Sequence, residues 1–224
     1  MGNLKGRDTR ALRLPGALTY AFLPHTPHAE ELANLAFSLH KEIMLHLPME
    51  SMDHANLGPG GLTLDMTYKQ FLAQLESDIA SVPHIVGVNN HMGSLLTQHP
   101  GYMSWLMKAL VKHDNLYFVD SYTTKASIGQ QIANENWIPN LRRDVFLDDD
   151  LDPEKIKFQF KRLLKLAREN NIAVGIGHPH PETIAVLKKE LPKLTQEGIL
   201  LLPVSKLINR HMQRFETWRA FLYP

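Results

Sequence analysis

Short apolar runs alternate with amphipathic helical stretches along most of the chain, and this alternation constrains the fold more than any other feature. Ala17–Leu23 reads as a strand, and Leu32, Leu35, Ala36 and Leu39 then fall at i, i+3, i+4 and i+7 on one helical face. Glu42–His46, Ile85–Asn89, Tyr117–Asp120, Arg143–Leu147, Ala173–Gly177 and Ile199–Pro203 read as six further strands. Helical patterns stand between them. Thr67 and Gln70 form a capping box for a helix that turns Phe71, Leu72, Leu75 and Ile79 inward. Met103, Leu106, Met107 and Leu110 mark the next helix, and Ile128–Asn136 a short one. Asp152 and Pro153 open the longest helix, which carries Ile156, Phe160, Leu163, Leu164 and Ala167 on its buried face. A helix from Pro181 stops before Pro192, and Ser205–Phe215 is the last.

Several strands are continuously apolar rather than alternating, as strands buried on both faces are, so a parallel sheet covered by helices is expected. No Gly-x-Gly-x-x-Gly follows the first strand, which removes support for a dinucleotide-binding doubly wound sheet. A length of 224 residues without repeat or linker favours one domain over residues 1–224, an irregular (β/α) barrel of about seven parallel strands.

Composition narrows the chemistry. With 24 Lys+Arg against 23 Asp+Glu there is no excess field to hold nucleic acid or an anionic membrane. No apolar run approaches the roughly 18 residues of a membrane span, and the first seven residues have no apolar region of signal-peptide type. Cysteine is absent, so thiolate nucleophiles and disulfides are excluded and any metal must sit on His and carboxylates. Histidine, at 12 residues, is in surplus.

In parallel barrels the active site gathers where the strands end, because the strand-to-helix loops all open on that face. Here His46 and Glu50, then Asn89, Asn90, His91 and Ser94, then Asp120, then His178, His180 and Glu182 stand at four strand ends. His46 and Glu50, four apart, could turn to one divalent cation, with His91 a third ligand from the neighbouring strand. His25 follows the first strand on the same rim. The remaining histidines read as surface residues. The run Asp148-Asp149-Asp150 precedes a helix, where acidic groups complement the dipole.

At these segments the chain resembles the divergent polysaccharide deacetylase family. The resemblance rests on Leu45-His46-Leu47-Pro48-Met49-Glu50, Gly58-Pro59-Gly60 with Leu62-Thr63, Val86-Gly87-Val88-Asn89-Asn90-His91-Met92-Gly93-Ser94, Asp120-Ser121 with Thr123-Thr124, Arg143-Asp144-Val145-Phe146-Leu147-Asp148, and Gly177-His178-Pro179 with Pro181-Glu182-Thr183. It implies a deacetylase barrel, a divalent metal of the zinc type, an N-acetylated sugar as substrate, and a location outside the cytoplasm. On that reading His46, His91 and Glu50 hold the metal and His178 is the general acid. Asp120 orients His178 or serves as base, while Asn89, Asn90, Ser94, His180 and Glu182 bind sugar or the oxyanion. Relatives carry an Asp-Asp-x-Gly element at the end of a first strand. This chain begins at Met1-Gly2, so that strand and its carboxylates are expected to be missing, either by truncation or by loss. The loss would leave a non-catalytic carbohydrate-binding or cell-envelope scaffold on the same barrel.

Overall fold

The computed structural model describes residues 1–113 and 116–212. Five strands form one parallel sheet in chain order: β1 (Thr19–Phe22), β2 (Glu42–Met49), β3 (Ile85–Met92), β4 (Tyr117–Asp120) and β5 (Asn140–Arg142). Two more, β6 (Val145–Phe146) and β7 (Gly175–Ile176), form a second parallel ladder. The order never reverses, as it would at the switch point of a doubly wound sheet. The helices are α1 (Lys5–Leu12), α2 (Ala29–Ser38), α3 (Tyr68–Ala80), α4 (Pro100–Lys112), α5 (Gly129–Glu135), α6 (Pro153–Asn170), α7 (Pro181–Glu190) and α8 (204–212). The expected α/β architecture with a parallel sheet is what the chain adopts.

Local signals set most of these elements. Thr67 and Gln70 make the reciprocal cap of α3, and the Asp152 carboxylate accepts from the backbone N–H groups of Glu154 and Lys155 at the start of α6. Asn171 ends α6 in the left-handed region, at φ 66°.

Alternation along the strands divides the core. Ile43, Leu45, Leu47 and Met49 of β2, with Val88 and Phe118, pack against α1–α5. Met44, Tyr117, Val119 and Leu141 face the other way, where Val174 and Ile208 of α8 cover them. A separate cluster of Val145, Leu147, Phe160, Leu164 and Leu191 seats α6 and α7 on the second ladder.

Tertiary context moves several boundaries. β2 and β3 run three residues beyond the expected His46 and Asn89, because adjacent strands pair through Met49 and Met92. Arg143–Leu147 contracts to β6, and β5 is an additional short strand whose polar Asn140 and Arg142 disguised it. No strand forms at 199–203. There the chain instead approaches the start of β1, with the Val204 N–H donating to Thr19 Oγ1 at 3.0 Å. The expected helix over 205–215 is observed to residue 212, and its remainder lies outside the described residues.

At the starts of the strands, Glu42 accepts from Thr19 Oγ1 and Tyr117 Oη, each at 2.9 Å, and from the backbone N–H and hydroxyl of Ser205. Burial, with the neighbouring Glu42 carboxylate adding to it, pushes the Tyr117 phenol far above its ordinary pKa. At the opposite margin, Met1 runs beside β1. Its ammonium donates to Ala21 O at 2.8 Å, and Leu23 N–H donates to Met1 O at 2.9 Å. Burial lowers that ammonium to a pKa of about 6.

Candidate functional site

Every second residue of β2 and β3 faces away from α1–α5, and this parity delivers His46, Asn89 and His91 to one surface. A chain of hydrogen bonds fixes their protons. It starts from the carbonyl of Asn90, which can only accept: Ser121 Oγ donates to it at 2.7 Å. Asn89 Nδ2 donates to Ser121 Oγ at 3.0 Å, which turns Asn89 Oδ1 toward His46 Nδ1, also at 3.0 Å. His46 Nδ1 therefore carries a hydrogen and Nε2 a lone pair, which receives His91 Nδ1 at 3.1 Å. The lone pair of His91 is left on Nε2.

The two rings meet edge to face, 4.8 Å between centroids. Burial, then the charge on His91, holds His46 well below its ordinary pKa. Burial also lowers His91 to about 4. Both imidazoles are therefore neutral near pH 7, the form in which they bind metals. His178 and the Met1 ammonium are close enough for their charges to act on both rings.

His178 comes from the segment between β7 and α7. The carboxylate beside it is Asp148, two residues past the end of β6. Asp148 Oδ2 accepts from the His178 N–H at 2.6 Å and from Thr183 Oγ1 at 2.7 Å, while Oδ1 lies 3.2 Å from His178 Nδ1. Burial pulls the Asp148 pKa up, but the bonds from His178 and Thr183 outweigh it and the net displacement is downward. An ionised Asp148 puts the hydrogen of His178 on Nδ1 and directs Nε2 outward. Phe146 steadies the ring edge to face at 5.4 Å. His180 stands beside it, 5.7 Å between ring centroids. One ligand atom each of Asp148, His178 and His180 lies within 4.8 Å of the others, the one group of three or more such residues among the described residues that could hold a metal ion.

Two expected roles do not fit this geometry. Glu50 does not join His46, because four residues of extended chain span roughly 13 Å. Its oxygens instead accept from the Leu64 N–H at 2.7 Å and meet His54 Nδ1 at 3.2 Å. Asp120 does not orient His178. It shares parity with Phe118 and is turned toward α5, where its carboxylate accepts from Tyr122 N–H, Ser127 Oγ and Gln130 N–H.

The other expected contacts divide similarly. Asn90 is buried and joins its own loop to the next, through Ser121 N–H to Oδ1 and Nδ2 to Met92 O. Ser94 Oγ accepts from the Met52 N–H. Glu182 lies in the first turn of α7, and His180 is its N-cap residue. His25 leaves the cleft for the buried Asp78, at 2.9 Å. Asp148 escaped the sequence reading because it stood in an acidic run before a helix. Its position just past the end of β6, at the same strand-end rim, was the available signal.

A profile of divergent polysaccharide deacetylases matches residues 1–208. The chain is 36% identical over 202 residues to the uncharacterized protein YibQ of Escherichia coli (strain K12), covering 90% of this chain and 63% of that protein. It is 35% identical over 190 residues to an uncharacterized protein of Haemophilus influenzae, covering 85% of this chain and 68% of the other. It therefore spans about two thirds of the length of these curated relatives. Among solved structures, uncharacterized protein ATU2773 from Agrobacterium tumefaciens C58 superposes with a TM-score of 0.89 at 25% identity, over 92% of this chain and 85% of that one.

Proposed function

Since the chain belongs to the divergent polysaccharide deacetylase family, we propose that it forms the body of a zinc-dependent hydrolase that removes acetyl groups from N-acetylated sugars of a polysaccharide outside the cytoplasm. The observation that carries this reading is the proton-ordered pair His46–His91 with the carboxylate-held His178 within electrostatic reach.

The donor set fits a divalent metal. Two neutral imidazoles meet at 3.1 Å, Asn89 fixes the tautomer of His46 as the outer partners of metal-binding histidines do, and transfer of the His91 hydrogen from Nδ1 to Nε2 would free both facing nitrogens for the ion. His46 and His91 would hold the ion, which when bound supplies Lewis acidity and a water acidified to a pKa near about 7. The family resemblance implies a third ligand from a strand preceding Met1.

His178 serves as the proton donor to the departing amine. Asp148 keeps its Nδ1 hydrogen engaged, so the exchangeable proton sits on Nε2, and stabilises the imidazolium form. Ser94, in the loop after β3, and Glu182, in the first turn of α7, follow the ends of their strands and would contact sugar hydroxyls.

The test is acetate release from N-acetylated chito-oligosaccharides and peptidoglycan fragments by the zinc-loaded protein, both as given and extended upstream by a relative's first strand. His178→Asn is expected to lower kcat by roughly 10²–10⁴ while zinc affinity at the His46–His91 pair stays constant. Absence of acetate from the extended, zinc-loaded protein would sink the reading.

A further inference from the structure

We infer that Asp148, His178 and His180 form a second divalent-cation site, separate from the His46–His91 pair, and that a zinc ion bound there stops His178 from acting as a proton donor. The regulatory consequence rests on the proposed role of His178. The binding chemistry does not.

The backbone builds this site in advance. His178 and His180 each precede a proline, which confines both to extended conformations, and His180 sits at φ −67°, ψ 145°. The short segment His178-Pro179-His180-Pro181 holds the two imidazoles side by side, 5.7 Å between ring centroids. Asp148 reaches them from β6. Its Oδ2 is anchored by the His178 N–H and by Thr183, which fixes the carboxylate with Oδ1 toward the rings.

The three donor atoms lie within 4.8 Å of one another, against the roughly 3.4 Å between ligands of tetrahedral zinc with bonds of about 2.1 Å, so a modest closing of the two rings brings them into range. One carboxylate and two imidazoles are a common ligand set for zinc, and three protein ligands leave a fourth position open. The charge of Asp148 offsets the adverse dipole at the start of α7. With 44% of its side chain exposed, His178 is reachable from solvent, so the ion exchanges with the medium.

The ion would take His178 Nδ1, the nitrogen 3.2 Å from Asp148 Oδ1, in place of its hydrogen, and a ring ligated there cannot become the imidazolium that donates from Nε2. Zinc would therefore support hydrolysis at low concentration, through the first site, and suppress it in excess, through this one.

The deciding experiment titrates the chain with zinc alone, following heat and the ring ¹⁵N resonances of histidine, beside the variant His180→Asn. Asparagine is a favoured N-cap residue, so α7 keeps its start. The expected result is one equivalent fewer in the variant, or one weakened roughly 100-fold, with the His178 ring signals moving in the parent protein at that equivalent. Equal stoichiometry and affinity in the two proteins, or His178 signals that do not move, would overturn the site. In the acetate assay, inhibition by excess zinc should diminish in the variant, and equal inhibition of both proteins overturns the competition. If no form releases acetate, the deacetylase reading fails while the titration still decides the cation site.

Discussion

A single amide decides what His46 can do. Were Asn89 reversed, its Nδ2 would face His46 Nδ1 and require a lone pair there, moving the hydrogen to Nε2 and closing that nitrogen to a metal. Ser121 prevents the reversal, because its hydroxyl hydrogen is committed to Asn90 O and only its lone pairs face Asn89. Asn89→Ala is accordingly expected to weaken zinc binding about 10–100-fold, as read by chelator competition, with little change in fold. The same scale explains what the sequence could and could not tell. His46, His91 and His178 were legible as strand-end residues. Separating Asn89 from Asp120 needed the parity of each strand relative to the helices, which apolar runs such as Tyr117-Phe118-Val119 conceal because both faces are buried. Asp148 needed a partner brought from thirty residues away.

At the scale of elements, β3 and β4 fit through a glycine. Gly87 lies opposite Tyr117 in the ladder, and a Cβ built on it would come within 2.2 Å of the phenol ring. The ring cannot move aside freely, since its hydroxyl is held by Glu42. Gly87→Ala should therefore destabilise by about 1–3 kcal/mol or more in urea unfolding, despite the usual preference of strands for a side chain. Helices with chemical punctuation, α3 and α6 above all, were readable almost to the residue from Thr67, Gln70, Asp152 and Pro153. Strand ends were not, because β2 and β3 lengthen by pairing with each other. The segment 199–203 is apolar enough for a strand, yet it packs without a ladder, with Ile199 and Leu201 partly buried against the second cluster.

At the scale of the whole molecule, stability is tuned by a carboxylate remote from the cleft. Asp78 of α3 is fully buried; Oδ1 receives Gln74 and His25, and Oδ2 has no hydrogen-bond partner among the described residues. Burial therefore pushes its pKa up to about 6. A carboxyl whose folded pKa exceeds its unfolded value keeps its proton longer when folded, so its contribution to stability declines as pH rises from about 4 through about 6. Asp78→Asn should match or fall below the parent protein near pH 4 and melt roughly 2–10 °C above it at pH 7.5, by calorimetry. An advantage that did not grow with pH would contradict the assignment.

The network at Glu42 links the two ends of the chain. Its bonds to Ser205 join residues 163 positions apart, and Val204 to Thr19 spans 185. A growing polypeptide can pair β1 with β2 early, since only about twenty residues separate them. The carboxylate between those strands waits for its last donors until Ser205 has been synthesised. At about 5–20 residues per second this leaves a delay on the order of ten seconds or more, in which the inner face of the early strands lacks its cover and is open to chaperones or to a second nascent chain.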